Sequence, residues 1–155
     1  AWSFGLREEF LVNGPKDPLV TNRLGEYAIA KVIQRAIEKR VAVLRPIIEC
    51  RYDLAIDDGL KIYRAQVKYT NRASPKQCQG MVPVGLRKWR NRGRSVALCY
   101  TTEEIDLLLV YVRQIDKVLW FGPEVFDGRQ VLHIRIEPTL NNQMKGCLMA
   151  SDYIW

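Results

Sequence analysis

One stretch of the chain, RYDLAIDDGLKIYRAQVKYT at residues 51–70, limits the possible folds more than any other. Apolar and polar residues alternate on both sides of Asp58-Gly59, a dipeptide typical of two-residue β-turns because Gly adopts positive φ without strain. We therefore predict a β-hairpin with strands Arg51–Asp57 and Leu60–Tyr69. Successive side chains of each strand then point to opposite faces.

The register of this hairpin decides which side chains share a face. A two-residue turn pairs Asp57 with Leu60 and places Asp53 opposite Arg64. The face suited to a core then holds Tyr52, Leu54, Ile56, Ala65 and Val67. The other face presents Asp53, Arg64, Gln66 and Lys68. A shift by one residue would exchange the two faces, so the prediction depends on the length of the turn.

An acid, an amide and a lysine on one sheet face suit metal-assisted hydrolysis of a phosphodiester. Mg²⁺ prefers hard oxygen ligands, which the Asp53 carboxylate, the Gln66 amide and the backbone carbonyl of Val67 can supply. Lys68 can hold the attacking water, help to deprotonate it, or stabilise charge on the phosphorane. The plainer interpretation is a solvated hairpin face with an Asp53–Arg64 ion pair, because the pattern D-x12-Q-x-K is degenerate.

Length and cysteine content narrow the class of protein. The 155 residues are most simply one domain with its own core. The four cysteines are far apart, form no CxxC pair and accompany a single histidine, so a zinc site is not expected. A reducing, cytoplasmic location is favoured over a disulfide framework. His133 lies in an alternating run and is expected at an outward strand position.

A helix is predicted upstream of the hairpin, from Thr21 or Asn22 to about Lys39. Its apolar stripe consists of Leu24, Ala28, Val32 and Ala36, widened by Ile29, Ile33 and Ile37. Glu26 falls in the first turn, where the helix dipole favours an acid. The sharper interpretation is that the Glu26 carboxylate points towards Asp53 and adds a second negative charge to a metal site.

Residues 71–95 account for the whole net charge of the chain. The chain has 24 basic and 17 acidic residues, and this segment holds seven of the basic residues and no acid. They are Arg72, Lys76, Arg87, Lys88, Arg90, Arg92 and Arg94. We predict a basic loop, shaped by glycines and Pro83, that contacts nucleic-acid phosphates. The alternative is a charged loop that is merely solvated.

Short strands are predicted on both sides of this segment. Pro46 restricts the strand Val41–Ile48 to a sheet edge or a bend. Residues 96–136 form further sheet strands, predicted at Val96–Tyr100, Leu107–Val112, Lys117–Phe121 and Arg129–Ile136, with a short turn or helix from Gly122 to Phe126. Residues 137–155 form a tail, and its apolar part, Leu140–Trp155, is our candidate for contact with a second subunit.

The order of these motifs resembles the PD-(D/E)XK nuclease core, with a helix bearing Glu26, a strand, Asp53 on the next strand, and Gln66-Val67-Lys68 on the strand after it. The segments Arg51-Tyr52-Asp53-Leu54, Asp57-Asp58-Gly59 and Gln66-Val67-Lys68 resemble more closely the small group I intron-encoded homing endonucleases of bacteria and cyanobacteria within that superfamily. The resemblance covers about residues 24–136. Tyr52 stands in place of the Pro of the motif. Gln66 stands in place of the usual Asp or Glu, a replacement that occurs in the intron-encoded branch.

The resemblance implies an α/β fold, with a PD-(D/E)XK (restriction-endonuclease-like) core at about residues 22–70 and a mixed β-sheet flanked by helices. It implies that Asp53 and Gln66 bind the metal, that Lys68 is catalytic and that Glu26 is an accessory acid. The chain would then be a Mg²⁺-dependent endonuclease that cuts double-stranded DNA at specific sites and promotes intron mobility.

Two alternatives stay open. One is a Holliday-junction resolvase, which shares the core and the basic character. The other is a non-catalytic DNA-binding module on a decayed nuclease core, with Gln66 as the sign of decay. A concerted double-strand break needs two active sites, so we expect a homodimer or a tetramer.

Overall fold

The computed structural model describes residues 19–71, 79–92, 94–138 and 147–155. The helices are α1 (Val20–Glu38) and α2 (Pro123–Phe126), and short 3-10 turns cover Arg113–Ile115 and Ala150–Tyr153. The strands are β1 (Ala42–Leu44), β2 (Leu54–Asp57), β3 (Ile62–Thr70), β4 (Met81–Gly85), β5 (Lys88–Arg92), β6 (Arg94–Leu98), β7 (Leu107–Val112), β8 (Lys117–Phe121), β9 (Val131–Arg135) and β10 (Leu148–Met149). No helix in these ranges combines the length and apolar character needed to cross a bilayer.

Helix α1 forms because its apolar residues recur every fourth position and face the sheet. Ala28, Val32 and Ala36 are completely buried, whereas Ile37, predicted to widen the stripe, is 70% exposed. The predicted start at Thr21 or Asn22 is wrong, since α1 begins at Val20 with no side-chain cap. Glu26 therefore lies beyond the first turn, and the helix dipole does not account for it.

The main sheet is mixed and has five strands in the order β1-β2-β3-β7-β8. Strands β3 and β7 are parallel, and the other neighbours are antiparallel. The predicted α/β class with a mixed sheet is confirmed. The bounds predicted for β7 and β8 are also confirmed. Strand β1 lies at the sheet edge, as Pro46 indicated, but it ends before that proline.

The turn between β2 and β3 is longer than predicted. Asp57 pairs with Ile62, so four residues connect the strands. The Asp58 carboxylate closes this longer turn by accepting hydrogen bonds from the backbone N–H groups of Leu60, at 2.9 Å, and Lys61, at 2.8 Å. The predicted Asp53–Arg64 pair is therefore wrong. Because the register is shifted by two residues and not by one, the side chains of β2 and β3 keep their predicted faces. Tyr52, which precedes β2, does not, because it packs against the cluster on the opposite face.

Both faces of the main sheet are covered. Helix α1 packs on Leu54, Ile56, Ala65, Val67, Leu107 and Leu109. The opposite face, with Leu108, Val110, Leu119 and Phe121, packs on α2 and on a second sheet of order β10-β9-β4. All six residues of β7 are buried as a result. A strand that is covered on both sides is continuously apolar, as the sequence LLLVYV is.

The basic segment is not a loop over most of its described length. Met81–Gly85 is the edge strand β4, and β5 and β6 form an antiparallel hairpin. Pro83 lies within β4, where its carbonyl accepts a hydrogen bond of 3.1 Å from the Thr70 hydroxyl. A proline is tolerated there because an edge strand leaves alternate N–H groups unpaired. Glycine and proline are loop signals in a sequence, yet Pro83 and Gly85 belong to β4, and Gly80 lies in the turn directly before it; Gly93 lies outside the described residues.

The described end of the chain, residues 147–155, packs on its own chain. β10 pairs with β9, and Met149 and Ala150 are buried. The Trp155 N–H donates to the Val118 carbonyl at 3.0 Å, and the Trp155 carbonyl accepts a hydrogen bond from Arg35. Of the segment Leu140–Trp155 predicted to contact a second subunit, residues 140–146 lie outside the described residues, and Met149 is buried within its own chain. Leu148, Tyr153 and Trp155 are only partly buried, so the subunit contact stays a prediction. Ile154 remains 47% exposed.

Arg64 holds the loop before β7 against β3. Its Nη2 lies 2.9 Å from Asp106 Oδ1, and its Nη1 donates to the Glu103 carbonyl at 2.6 Å. The Asp106 carboxylate also accepts the backbone N–H of Arg64 at 2.8 Å. These hydrogen bonds, above all those from the Arg64 side chain, hold the pKa of Asp106 below its ordinary value.

Replacing Asp106 with asparagine is expected to lower the free energy of unfolding at neutral pH by about 1–2 kcal/mol, since a partly exposed charged pair is weakened by solvent. A lowered folded-state pKa means that the stabilisation is present above the unfolded-state pKa, and that it disappears as pH falls through the folded-state pKa. The wild type and Asp106→Asn should therefore converge in acid, as measured by urea unfolding at several pH values. Asp127→Asn, at an exposed position, is the control. Parallel pH profiles for wild type and Asp106→Asn would contradict this account.

Candidate active site

Asp53 lies directly before β2, and its backbone is fixed by a 3.0 Å hydrogen bond from its N–H to the Ala65 carbonyl. Its side chain turns to the neighbouring strand β3. The Oδ2 atom accepts a hydrogen bond from the backbone N–H of Val67 at 2.8 Å and another from the Gln66 amide nitrogen. The three residues that the sequence predicted as an oxygen-rich cluster are therefore in direct contact.

The Asp53 carboxylate is short of compensating charge. Burial raises its pKa, although the Val67 N–H, the charges of Lys68 and Arg45 and the Gln66 amide all favour the ionised form. A desolvated anion of this kind is stabilised by a cation bound beside it. The electrostatics therefore fit a metal ligand better than a solvated surface acid.

Lys68 follows on the same face of β3, two residues beyond Gln66. Its Nζ atom lies 5.1 Å from the centre of the Tyr100 ring, a cation–π distance, and its charge acts on Asp53. Tyr100 is buried and packs in the cluster between the two sheets. Tyr100 thus restrains the lysine near the carboxylate, and no sequence pattern pointed to this contact because Tyr100 comes from a distant part of the chain.

Glu26 does not make the contact that the sequence predicted. Its carboxylate forms a two-point ion pair with Arg45, with N–O distances of 2.6 and 2.9 Å. The hydrogen bonds from Arg45 are the main reason why the pKa of Glu26 is lowered. Among the described residues, no hydrogen bond joins Glu26 to Asp53. The role of Glu26 as an accessory acid stays a prediction, and Arg45 is a neighbour of the site that sequence reasoning missed.

The donor atoms present fit Mg²⁺ in kind. Asp53 offers a carboxylate, Gln66 an amide whose oxygen takes the place of its nitrogen after a half-turn, and Val67 a backbone carbonyl. Within the described ranges, no three His, Cys, Asp or Glu side chains are close enough to hold a metal. A metal bound here would depend on the amide, a carbonyl, waters and a substrate phosphate, as Mg²⁺ commonly does.

The predicted DNA-binding residues fall into three groups. Arg72 and Lys76 lie outside the described residues. Arg87 is exposed and its Nη2 donates to Gln130 Oε1 at 2.5 Å. The others belong to the β5–β6 hairpin, in which Lys88, Arg90 and Arg92 occupy alternate positions of β5 and Arg94 pairs with Arg92.

The family model described as PD-(D/E)XK endonuclease matches residues 19–155, nearly the whole chain. The chain belongs to the PD-(D/E)XK endonuclease family. This confirms the resemblance drawn from the motifs around Asp53 and Lys68, and it identifies the protein as a nuclease.

A solved structure supports the same assignment. The bacterial homing endonuclease I-Ssp6803I is similar to this PD-(D/E)XK endonuclease with a TM-score of 0.70 and 27% sequence identity, over 86% of this chain and 88% of that chain. The similarity to I-Ssp6803I therefore extends over most of both molecules. No curated protein sequence matches the chain.

Proposed function

We propose that this PD-(D/E)XK endonuclease is a site-specific homing endonuclease. It would act in the cytoplasm as a single nuclease domain, make Mg²⁺-dependent double-strand breaks and so promote the mobility of a group I intron. The observation that carries the proposal is the contact of Gln66 and Val67 with the buried Asp53 carboxylate, with Lys68 beside it. The similarity to a bacterial homing endonuclease supports the choice within the family.

Each residue of this cluster has a role in phosphodiester hydrolysis. Asp53, the Gln66 oxygen and the Val67 carbonyl would hold the metal, with Glu26 as an accessory ligand. A bound divalent metal supplies Lewis-acid activation of the phosphate and of water. Lys68, restrained by Tyr100, orients the attacking water or stabilises negative charge on the phosphate in the transition state.

The β5–β6 hairpin is the proposed DNA-binding element. The major groove of B-DNA is wide enough to admit a two-stranded antiparallel ribbon. Lys88, Arg90, Arg92 and Arg94 on the ribbon, and Arg87 before it, would neutralise phosphates or contact guanine edges. Arg72 and Lys76 would contribute from the connection after β3.

A homodimer or tetramer is proposed because one Asp53–Lys68 site cuts one strand at a time. Two copies related by a two-fold axis would place two sites on a pseudo-symmetric DNA site. Light scattering of the protein, free and bound to its target duplex, should give a protein mass of at least twice the 18.0 kDa chain once the mass of the DNA is subtracted. A monomer in both samples would contradict the proposed assembly.

Cleavage mapping on a library of DNA duplexes with Mg²⁺ tests the function. A homing endonuclease is expected to cut a few long related sequences on both strands, and omission of Mg²⁺ should abolish the cuts. A preference for four-way junctions over linear duplex would favour a resolvase. Binding without any cleavage would favour the non-catalytic module, for which Gln66 in place of an acid is the supporting observation.

A further inference from the structure

Glu26 forms an exposed ion pair with Arg45, a residue that has no role in the proposed mechanism. Arg45 lies directly after the edge strand β1, and its two Nη atoms bond the two carboxylate oxygens of Glu26 on α1. The side chains are 53% and 57% exposed. Both partners are therefore accessible to a large ligand that approaches this edge of the sheet.

Arg45 is also part of the electrostatic surroundings of Asp53. Its positive charge favours the ionised form of that carboxylate, as the charge of Lys68 does. In the antiparallel pairing of β1 with β2, Leu44 lies opposite Ala55, which places the segment after β1 beside the residues that precede β2. Arg45 thus contacts the helix that carries Glu26, and its own segment runs beside the residues that precede β2, among them Asp53.

A DNA phosphate can replace Glu26 as the partner of this guanidinium at little cost. An exposed carboxylate–guanidinium pair contributes little to stability because water and salt screen it. Arginine binds phosphate with the same two-point geometry, and a DNA backbone offers that ligand at high local charge. Exchange of Glu26 for a phosphate therefore costs little and gains a charged contact near the proposed cleavage centre.

We propose that Arg45 is a phosphate-binding residue and that Glu26 is its place-holder when no DNA is bound. On DNA binding, Arg45 leaves Glu26 for a backbone phosphate, and the Glu26 carboxylate becomes free to turn towards Asp53. The inference rests on the proposed function, because it requires DNA to lie across this site. It adds Arg45 to the binding surface, a residue that lies outside the predicted basic segment 71–95.

The test compares DNA affinities without metal, so that no cleavage occurs. The probe is a fluorescein-labelled duplex of mixed sequence, and fluorescence anisotropy measures its binding. Glu26→Gln releases Arg45 and should tighten binding about two- to fivefold. Glu38→Gln is the matched control, because it makes the same change of charge on the same helix in another exposed pair, Arg35–Glu38 at 2.7 Å. It should change affinity less than Glu26→Gln does.

Arg45→Ala should weaken binding by roughly tenfold and lower the slope of log K against log salt by about 0.9, the value of one phosphate contact. In the Arg45→Ala background, Glu26→Gln should give no more gain than Glu38→Gln. Arg45→Gln serves as a second variant, and thermal unfolding of all variants checks that they are folded.

The inference is overturned if Arg45→Ala binds DNA with the wild-type affinity and salt slope, or if Glu26→Gln behaves like Glu38→Gln. Equal losses of thermal stability in Glu26→Gln and Arg45→Ala, without a change in affinity, would show a purely structural ion pair and would also overturn it. If one of these results is obtained and the wild-type protein still cleaves DNA, only the inference about Arg45 is refuted and the proposed function is retained. Wild-type protein that neither binds nor cleaves DNA would refute both.

Discussion

Asp53→Ala is expected to abolish metal-dependent DNA cleavage, and Lys68→Ala to reduce its rate by a factor of at least about 10². Asp53 is the acidic side chain at the centre of the site, contacted by both Gln66 and Val67, so its loss removes the only negative charge in the proposed Asp53–Gln66–Val67 ligand set. Lys68 supplies a positive charge at the same place. Single-turnover cleavage with saturating enzyme measures both effects separately from DNA binding.

Lys61→Ala is the matched control for Lys68→Ala. Lys61 also lies over a tyrosine ring, at 4.9 Å from the centre of Tyr63, but at the turn end of β3 and away from Asp53. Its replacement should leave the cleavage rate near that of the wild type, and anisotropy should show that Lys68→Ala still binds DNA. A nearly normal rate for Asp53→Ala or Lys68→Ala would refute the proposed site.

Changes at Gln66 test the ligand role of its side chain. Gln66→Ala should be severely impaired, because it removes an oxygen donor beside Asp53. Gln66→Glu should retain cleavage, since a carboxylate oxygen can replace the amide oxygen as a metal ligand. Calorimetric titration with Ca²⁺ would show whether metal affinity follows the same order. Equal activity of Gln66→Ala and the wild type would remove Gln66 from the site.

Replacing both Arg90 and Arg92 with alanine is expected to flatten the salt dependence of DNA binding. If both residues neutralise phosphates, the slope of log K against log salt should fall by about two, at about 0.9 for each contact. Sequence preference should change little, because phosphate contacts carry no direct base information. Relaxed preference at particular base pairs would instead show that these arginines contact guanine edges.

The matched control for this experiment removes two basic residues elsewhere. Lys39 and Lys117 are exposed and lie outside the basic segment. Their double replacement lowers the net charge equally, yet it should leave the slope almost unchanged. An unchanged slope in the Arg90 and Arg92 variant would return the hairpin to the interpretation of a merely solvated surface.

Sequence patterns predicted correctly those structural features that depend only on residues close together in the chain. The alternation of side chains along a strand has a period of two, so Asp53, Gln66 and Lys68 share a face even though the predicted register was shifted by two residues. The bounds of β7 and β8 were also predicted correctly, because a short run of apolar residues bounded by polar turn residues is a local signal too. The resemblance of the motifs around Asp53 and Lys68 to the PD-(D/E)XK nucleases is confirmed by the family match.

The tertiary structure decided the features that depend on contacts between distant residues. The turn after β2 extended to four residues because the Asp58 carboxylate satisfies two further backbone N–H groups, an outcome that a dipeptide signal does not encode. Glu26 forms an ion pair with Arg45, and Lys68 lies over the Tyr100 ring, because the packing of α1 and of the second sheet brings these distant residues together. The sequence by itself determined which side chains share the catalytic face. Only the fold determined which charges surround them, because charge–charge distances depend on how the elements pack and not on their separation along the chain.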